Sequence, residues 1–256
     1  MSKKIEIVTT CVGRSSFLRE TLPLNKPKVD NIIVVTTPTD YETQRVCNGE
    51  GATCIQTDCF YMHNAPFDKG RAMNKGLGSL LHNDWVMFID CDILLLPTHV
   101  NFFKDKGLNK DHLYGCKRII LETRYEYQNF IKTVALNPHT FDVNKYVNDD
   151  PKEHGVGFFQ FFNMSSVVIK DIINQEIFCD DETFKELVMP VVNDVDYPRC
   201  IKSKGQIYPV FPHAGGSDSQ FRHFFVEKNL MTVVNIPVIH LGRIGRGHGG
   251  TGRNFE

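Results

Sequence analysis

Residues 85–97 read Trp85-Val86-Met87-Phe88-Ile89-Asp90-Cys91-Asp92-Ile93-Leu94-Leu95-Leu96-Pro97. The apolar run at 85–89 has the character of a buried strand. It ends on a carboxylate, and a second carboxylate follows two residues later. Residues two apart in extended chain point the same way. Asp90 and Asp92 would therefore repel one another unless something positive lay between them. A divalent cation held by hard oxygen ligands answers that need. The competing reading is a strand end with two solvated or helix-capping aspartates. A solvated turn seldom sits inside thirteen residues as apolar as these.

Toward the N-terminus, strand and helix signals alternate. Residues 5–10, 31–37 and 52–57 read as short strands, the second of them (Asn-Ile-Ile-Val-Val-Thr-Thr) strongly β-branched. Between them, Ser15 and Ser16 can cap a helix running to about Leu22, with Pro23 limiting it. Thr39-Asp40-Tyr41-Glu42 has capping-box spacing and opens a helix that ends near Gly49. Residues 68–81 read as a helix despite Gly70, Gly76 and Gly78. Strands separated by helices imply right-handed crossovers and a mostly parallel sheet with helices on both faces. Ligands of such sheets bind beyond the carboxyl ends of the strands. Residues 9–14, 36–40, 58–63 and 90–92 should share that edge.

The C-terminal half is less regular. Residues 113–121, 157–168, 206–210, 232–236 and 237–240 are strand-like. Residues 181–188 and 217–228 read as helices, and 125–155 is polar and hard to assign. Alternation puts Phe159 and Phe161 on one face of their strand and Phe158, Gln160 and Phe162 on the other. Core packing accounts for most of these rings, although one aromatic face could stack on a ligand ring.

The whole chain has 256 residues, with 29 Lys+Arg against 30 Asp+Glu. That length suits one large α/β domain or two intimately packed halves. A hydrophobic content of 41% with 23% charged residues excludes disorder, collagen and coiled coil. The near-zero net charge argues against a nucleic-acid binder. No stretch reaches ~18 uncharged apolar residues, so no transmembrane helix is expected, and the first residues lack a signal-peptide core. Eight cysteines without CxxC spacing suggest free thiols in a reducing, cytoplasmic setting, with the protein soluble or peripherally membrane-associated. A zinc site is not expected, and oligomeric state is not readable.

Five segments, in order, resemble the GT-A glycosyltransferases of the family-two-like inverting group. Ile89-Asp90-Cys91-Asp92 after a hydrophobic strand is similar to their Asp-x-Asp motif. Phe67-Asp68-Lys69-Gly70-Arg71-Ala72-Met73-Asn74-Lys75-Gly76-Leu77 is similar to their Lys-Gly-x-Ala-x-Asn-x-Gly segment. Val8-Thr9-Thr10-Cys11-Val12-Gly13-Arg14, with Phe17 to Leu22, resembles their first strand and helix. Gly215-Gly216-Ser217-Asp218-Ser219-Gln220-Phe221-Arg222 and Val238-Ile239-His240-Leu241-Gly242 resemble two C-terminal segments. The resemblance implies a single GT-A domain over 1–256: a Rossmann-like, mostly parallel sheet with helices on both faces and a smaller mixed acceptor-side sheet. Residues 1–110 would bind the nucleotide sugar, 111–241 would form the acceptor and catalytic half, and 242–256 would be a Gly/Arg-rich flexible tail.

It also implies roles. A sugar would pass from a nucleotide diphosphate to a glycan or other hydroxyl acceptor, so charge on the leaving diphosphate must be neutralised. A divalent cation does this, Mn²⁺ in preference to Mg²⁺ because an imidazole ligand suits it better. Asp92 and His240 would be direct ligands, with Asp90 on the ribose or on the metal, directly or through water. Thr9, Thr10, Arg14, Thr37, Asp58, Lys69, Arg71, Asn74, Asp90 and Cys91 would line the donor site. Asn74 would reach either a loop or the donor. Where relatives carry an acidic pair after the second strand, this chain has Thr36-Thr37-Pro38, with Asp40 or Asp58 as the candidate substitute. Asp218, taken as lying at a helix start, is the candidate base, with Asp194 and Asp196 as alternatives. The six glycines and three arginines of 242–256 could fold over a diphosphate or form a passive terminus. Two rivals remain. A sugar-1-phosphate nucleotidyltransferase would need a richer glycine loop than Cys11-Val12-Gly13-Arg14. A non-catalytic nucleotide- or glycan-binding module would not need the base and the metal ligands together.

Overall fold

The computed structural model describes residues 3–105, 107–136, 158–180, 199–211 and 214–242. The N-terminal part follows the expected alternation: β1 (Ile5–Thr10), α1 (Ser15–Asn25), β2 (Asn31–Thr36), α2 (Tyr41–Glu50), β3 (Thr53–Gln56), α3 (Lys69–Leu77) and β4 (Trp85–Ile89). A two-residue strand, β5 (Ile93–Leu94), and α4 (Pro97–Asp105) come next. The C-terminal part adds β6 (Leu113–Leu121), α5 (Arg124–Leu136), β7 (Phe159–Asn163), α6 (Val167–Asn174), β8 (Ile177–Phe178), β9 (Cys200–Lys202), α7 (Ala214–Val226) and β10 (Met231–Leu241). Among the described residues, eight strands form one sheet in the order β3-β2-β1-β4-β7-β6-β10-β5, and β8 pairs with β9 in a separate antiparallel sheet. Strands β3, β2, β1 and β4 run parallel, as do β6 and β10. Strand β7 is antiparallel to both neighbours, β4 and β6.

Alternation along the strands builds two cores. Ile5, Ile7, Ile32, Val34, Trp85, Met87 and Ile89 pack with Leu18 and Leu22 of α1 and Phe103 of α4. Val8, Ile33, Val35, Val86 and Phe88 face the other way, onto Ala72 and Met73 of α3, Ile169 of α6 and Phe221 of α7. Two glycines of α3 make this second packing possible. A Cβ on Gly76 would lie 2.4 Å from Val8 Cγ1, and one on Gly70 would lie 2.0 Å from the Pro209 carbonyl oxygen.

Several local expectations need correction. Helix α1 starts at Ser15 without a side-chain cap and carries Pro23 in its last turn. The cap of α2 is Asp40, whose carboxylate accepts from Thr43 N–H. Residues 206–210 form no strand; Asn74 holds them instead. The apolar run at 157–168 is a strand only over Phe159–Asn163, and helix α6 follows, capped by Ser166. All four phenylalanines from 158 to 162 are buried, so none offers a face to a sugar. The two C-terminal strand segments are one strand, with a register shift between Val234 and Val238 that accommodates Pro237. The helix expected at 181–188 lies outside the described residues. So do Asp194, Asp196 and the tail beyond Gly242.

Candidate active site

The turn carrying the two aspartates is gripped from several sides. Asp90 N–H donates to the Phe158 carbonyl (3.2 Å), and Leu241 N–H donates to the Asp92 carbonyl (2.9 Å). Two polar residues of α1 complete the grip. Thr21 Oγ1 donates to the Cys91 carbonyl at 2.6 Å. Asn25 donates to the Ile93 carbonyl at 2.7 Å and accepts from Leu95 N–H at 2.9 Å. Sequence reading missed both. The available signal was their spacing with Leu18 and Leu22, which places two polar side chains on the buried stripe of a helix. Buried polar groups of this kind are retained because they are fully bonded.

The two carboxylates have different neighbours. Residues 91 and 92 form a turn, so the alternation expected of extended chain does not apply. Asp92 is buried beneath the end of β10, its Oδ1 3.5 Å from His240 Nε2. Asp90 stays partly exposed, at 34%, and pairs with Lys69 Nζ at 2.8 Å. Among the described residues, no group of three or more His, Cys, Asp or Glu side chains is gathered to hold an ion.

Lys69 is the first residue of α3, directly after its cap Asp68, and is almost wholly buried. Its ammonium also reaches Asp218 Oδ2 at 3.1 Å, so one cation bridges two carboxylates. Burial alone would lower the Lys69 pKa; Asp218 and Asp90 outweigh it and raise it above the usual lysine range. Asp218 lies in the second turn of α7, which begins at Ala214, and so is not the expected helix cap. Burial pushes its carboxyl up to about 6, against the opposing pull of Lys69. The Tyr208 hydroxyl donates to Asp218 Oδ1 and lies 3.2 Å from Gln160 Oε1. Gln160 Nε2 donates to the Asp218 carbonyl at 3.1 Å. Neither Tyr208 nor Gln160 was legible as a site residue.

The remaining expected residues divide by what they touch. Thr9 and Thr10 end β1 and Thr37 follows β2, all three buried at the carboxyl edge. Arg14 precedes α1 beside them. Asp58 is exposed at the end of the β3 connection. Asp40 is committed to structure: it accepts from Gly13 N–H at 2.8 Å, Thr43 N–H at 3.1 Å and Thr43 Oγ1 at 2.8 Å. Asn74 is committed likewise. It accepts from Ile207 and Tyr208 N–H at 3.1 and 2.9 Å and donates to the Tyr208 carbonyl at 2.7 Å, so the loop rather than the donor is its partner. Arg71 Nε pairs with Asp68 at 2.7 Å. With Lys75 and Met62 it borders a cleft of about 500 Å³ along α3 that Asp90, Asp92 and His240 do not line. The Cys91 thiol faces inward against Cys11, and all eight cysteines are free.

Solved structures share this architecture. Glucosyl-3-phosphoglycerate synthase from Mycobacterium tuberculosis, in complex with Mn²⁺, uridine diphosphate and glucosyl-3-phosphoglycerate, superposes with a TM-score of 0.51 at 13% identity, covering 94% of this chain and 73% of that one. A mycobacterial protein gives 0.52 at 14% identity, covering 95% of this chain and 68% of that one. The fold is GT-A. No protein-family model and no curated protein sequence matches the chain. At this identity the GT-A likeness concerns the architecture, in which Asp90 and Asp92 follow β4 at the carboxyl edge of the sheet. Among the described residues, no helix of this GT-A chain is long and apolar enough to cross a membrane.

Proposed function

We propose that this protein is a metal-dependent glycosyltransferase that moves a sugar from a nucleotide-diphosphate donor to a hydroxyl acceptor by direct, inverting displacement. One observation carries the reading. At the carboxyl edge of the sheet, a buried Asp92–His240 pair and a Lys69-held Asp218 flank the partly exposed Asp90. The first pair is a carboxylate in the turn before β5 and an imidazole on β10, a donor set suited to Mn²⁺. Asp92 and His240 would hold the ion, which would supply positive charge for the departing diphosphate. Thr9, Thr10, Thr37 and Asp58 would border the base and ribose, and Arg14 and Lys69 would add positive charge near the phosphates. Asp218 would accept the proton of the acceptor hydroxyl.

The solved GT-A structures support a uridine donor. The mycobacterial synthase has been seen with Mn²⁺, UDP-glucose and phosphoglyceric acid, and with Mg²⁺ and uridine diphosphate. The test is a donor screen: UDP-, GDP- and dTDP-sugars with and without Mn²⁺, read by mass spectrometry. Mn²⁺-dependent release of a nucleoside diphosphate, UDP foremost, is expected. Absence of turnover with every donor in the presence of metal would refute the reading.

A further inference from the structure

We infer that Tyr208 is a positioning residue for the Asp218 carboxylate, which it fixes between its own hydroxyl and the Lys69 ammonium. The inference rests on the glycosyl-transfer reading and gives that reaction a group outside the reacting atoms.

The geometry assigns each Asp218 oxygen its own partner. Oδ1 accepts from the Tyr208 hydroxyl, and Oδ2 faces Lys69 Nζ at 3.1 Å. A carboxylate held at both oxygens cannot rotate about its last torsion without breaking a charge-assisted bond. Tyr208 is itself immobilised. Its side chain is fully buried, with its ring edge-on to Phe88 at 4.9 Å and tilted against Phe221 at 5.0 Å. Its backbone is tied at N–H and carbonyl to Asn74. Gln160 Nε2 fastens the Asp218 backbone, and its Oε1 lies 3.2 Å from the hydroxyl, whose single proton goes to Asp218.

A purely structural tyrosine would need only some buried acceptor for its hydroxyl. Here the acceptor is the acid that Lys69 links to Asp90, the one carboxylate of the turn that is partly exposed at the sheet edge. The row Tyr208–Asp218–Lys69–Asp90 therefore runs from the core to the mouth of the site. Phenylalanine would pack in the same space, so the hydroxyl is the informative atom.

The experiment compares wild type, Tyr208→Phe, Asp218→Asn and the double variant, with kinetics and UDP–Mn²⁺ calorimetry on each. Tyr208→Phe should lower kcat by about 10–100-fold, as loss of an orienting partner does elsewhere. Donor KM and UDP–Mn²⁺ affinity should stay within about twofold of wild type. In the Asp218→Asn background the same change should cost almost nothing further, because the two residues act as one unit. A kcat unchanged in Tyr208→Phe overturns the inference. So does a loss that adds fully to that of Asp218→Asn, or one matched by weaker donor binding. Wild-type protein that transfers no sugar overturns the glycosyl-transfer reading instead. Should Tyr208→Phe fail to fold, 3-fluorotyrosine at position 208 keeps the ring and acidifies the hydroxyl. The acid limb of the kcat profile should then move to lower pH with donor KM unchanged, and an unmoved limb overturns the inference equally.

Discussion

A carboxylic acid can serve as a base only in its ionised form, and burial opposes that form. At Asp218 burial dominates and lifts the pKa to about 6, although Lys69 pulls it down. The transfer rate should therefore rise with pH through about 6 and level off above it, as a rate profile will show. Asp218→Asn keeps the shape and loses the proton acceptor. It should cost at least ~100-fold in rate while UDP–Mn²⁺ binding persists. Asp92→Ala and His240→Ala should behave in the opposite way, each losing metal-dependent donor affinity in calorimetry with the fold retained. Unchanged affinity in either variant would remove that residue from the metal site. Asp92, His240, Lys69 and Asp218 could be named from sequence because they sit in short motifs beside strand or helix ends. Tyr208 and Gln160 could not, since each matters through partners outside its own element, and Thr21 and Asn25 left only a polar break in the apolar stripe of α1.

Helix α3 shows how an element carries the site. Its cap Asp68 aims Lys69 at Asp90 and Asp218, and its Gly70 lets the segment bearing Tyr208 approach. A methyl group at Gly70 would meet the Pro209 carbonyl oxygen at 2.0 Å and Ser217 Oγ at 2.9 Å. The carbonyl belongs to backbone that Asn74 pins one residue earlier, so it cannot retreat cheaply. Gly70→Ala should destabilise the protein by about 1–3 kcal/mol, as overpacking does. It should also depress transfer more than UDP–Mn²⁺ binding, because Pro209 and Ser217 border Tyr208 and Asp218. Urea unfolding and kinetics check the two halves, and wild-type values for both would refute the argument. Gly70 and Gly76 thus mark close packing, although local propensity counts them against a helix. Pro237 misled in the other direction. It split one strand into two segments on paper, whereas the sheet absorbs it at a register shift and the Ile236 carbonyl is 2.9 Å from His99 Nε2.

Across the whole molecule, two buried groups set opposing pH dependences. Burial lowers the His99 pKa to about 4 from 6.5. The unfolded chain therefore takes up this proton first, and stability falls as pH drops between those values, by on the order of 3 kcal/mol. Asp218 is raised to about 6 from 3.8, so the folded form keeps a proton that the unfolded form has released. Its contribution is lost as pH rises through about 6. In the wild type the two slopes oppose one another. Asp218→Asn should unmask the acid loss due to His99, with Tm falling more steeply than wild type toward about pH 4. His99→Gln should unmask the Asp218 loss, with Tm falling more steeply toward neutral pH. Equal Tm slopes in all three proteins would contradict this account.

What the sequence by itself determined was local and periodic. Short apolar runs placed β1, β2, β4 and β6, and the helices between the early strands required a mostly parallel sheet. Motifs at strand ends marked the edge where Asp90, Asp92 and His240 meet. Tertiary structure alone decided that β7 would enter antiparallel between β4 and β6, and that β5 would close the far edge against β10. It also decided that Asp218 would be buried against Lys69 and Tyr208 rather than cap a helix. The reason is physical. Strand order and buried ion pairs depend on which apolar faces can be covered together once long loops have closed. A residue's own neighbours in the chain carry no trace of that choice.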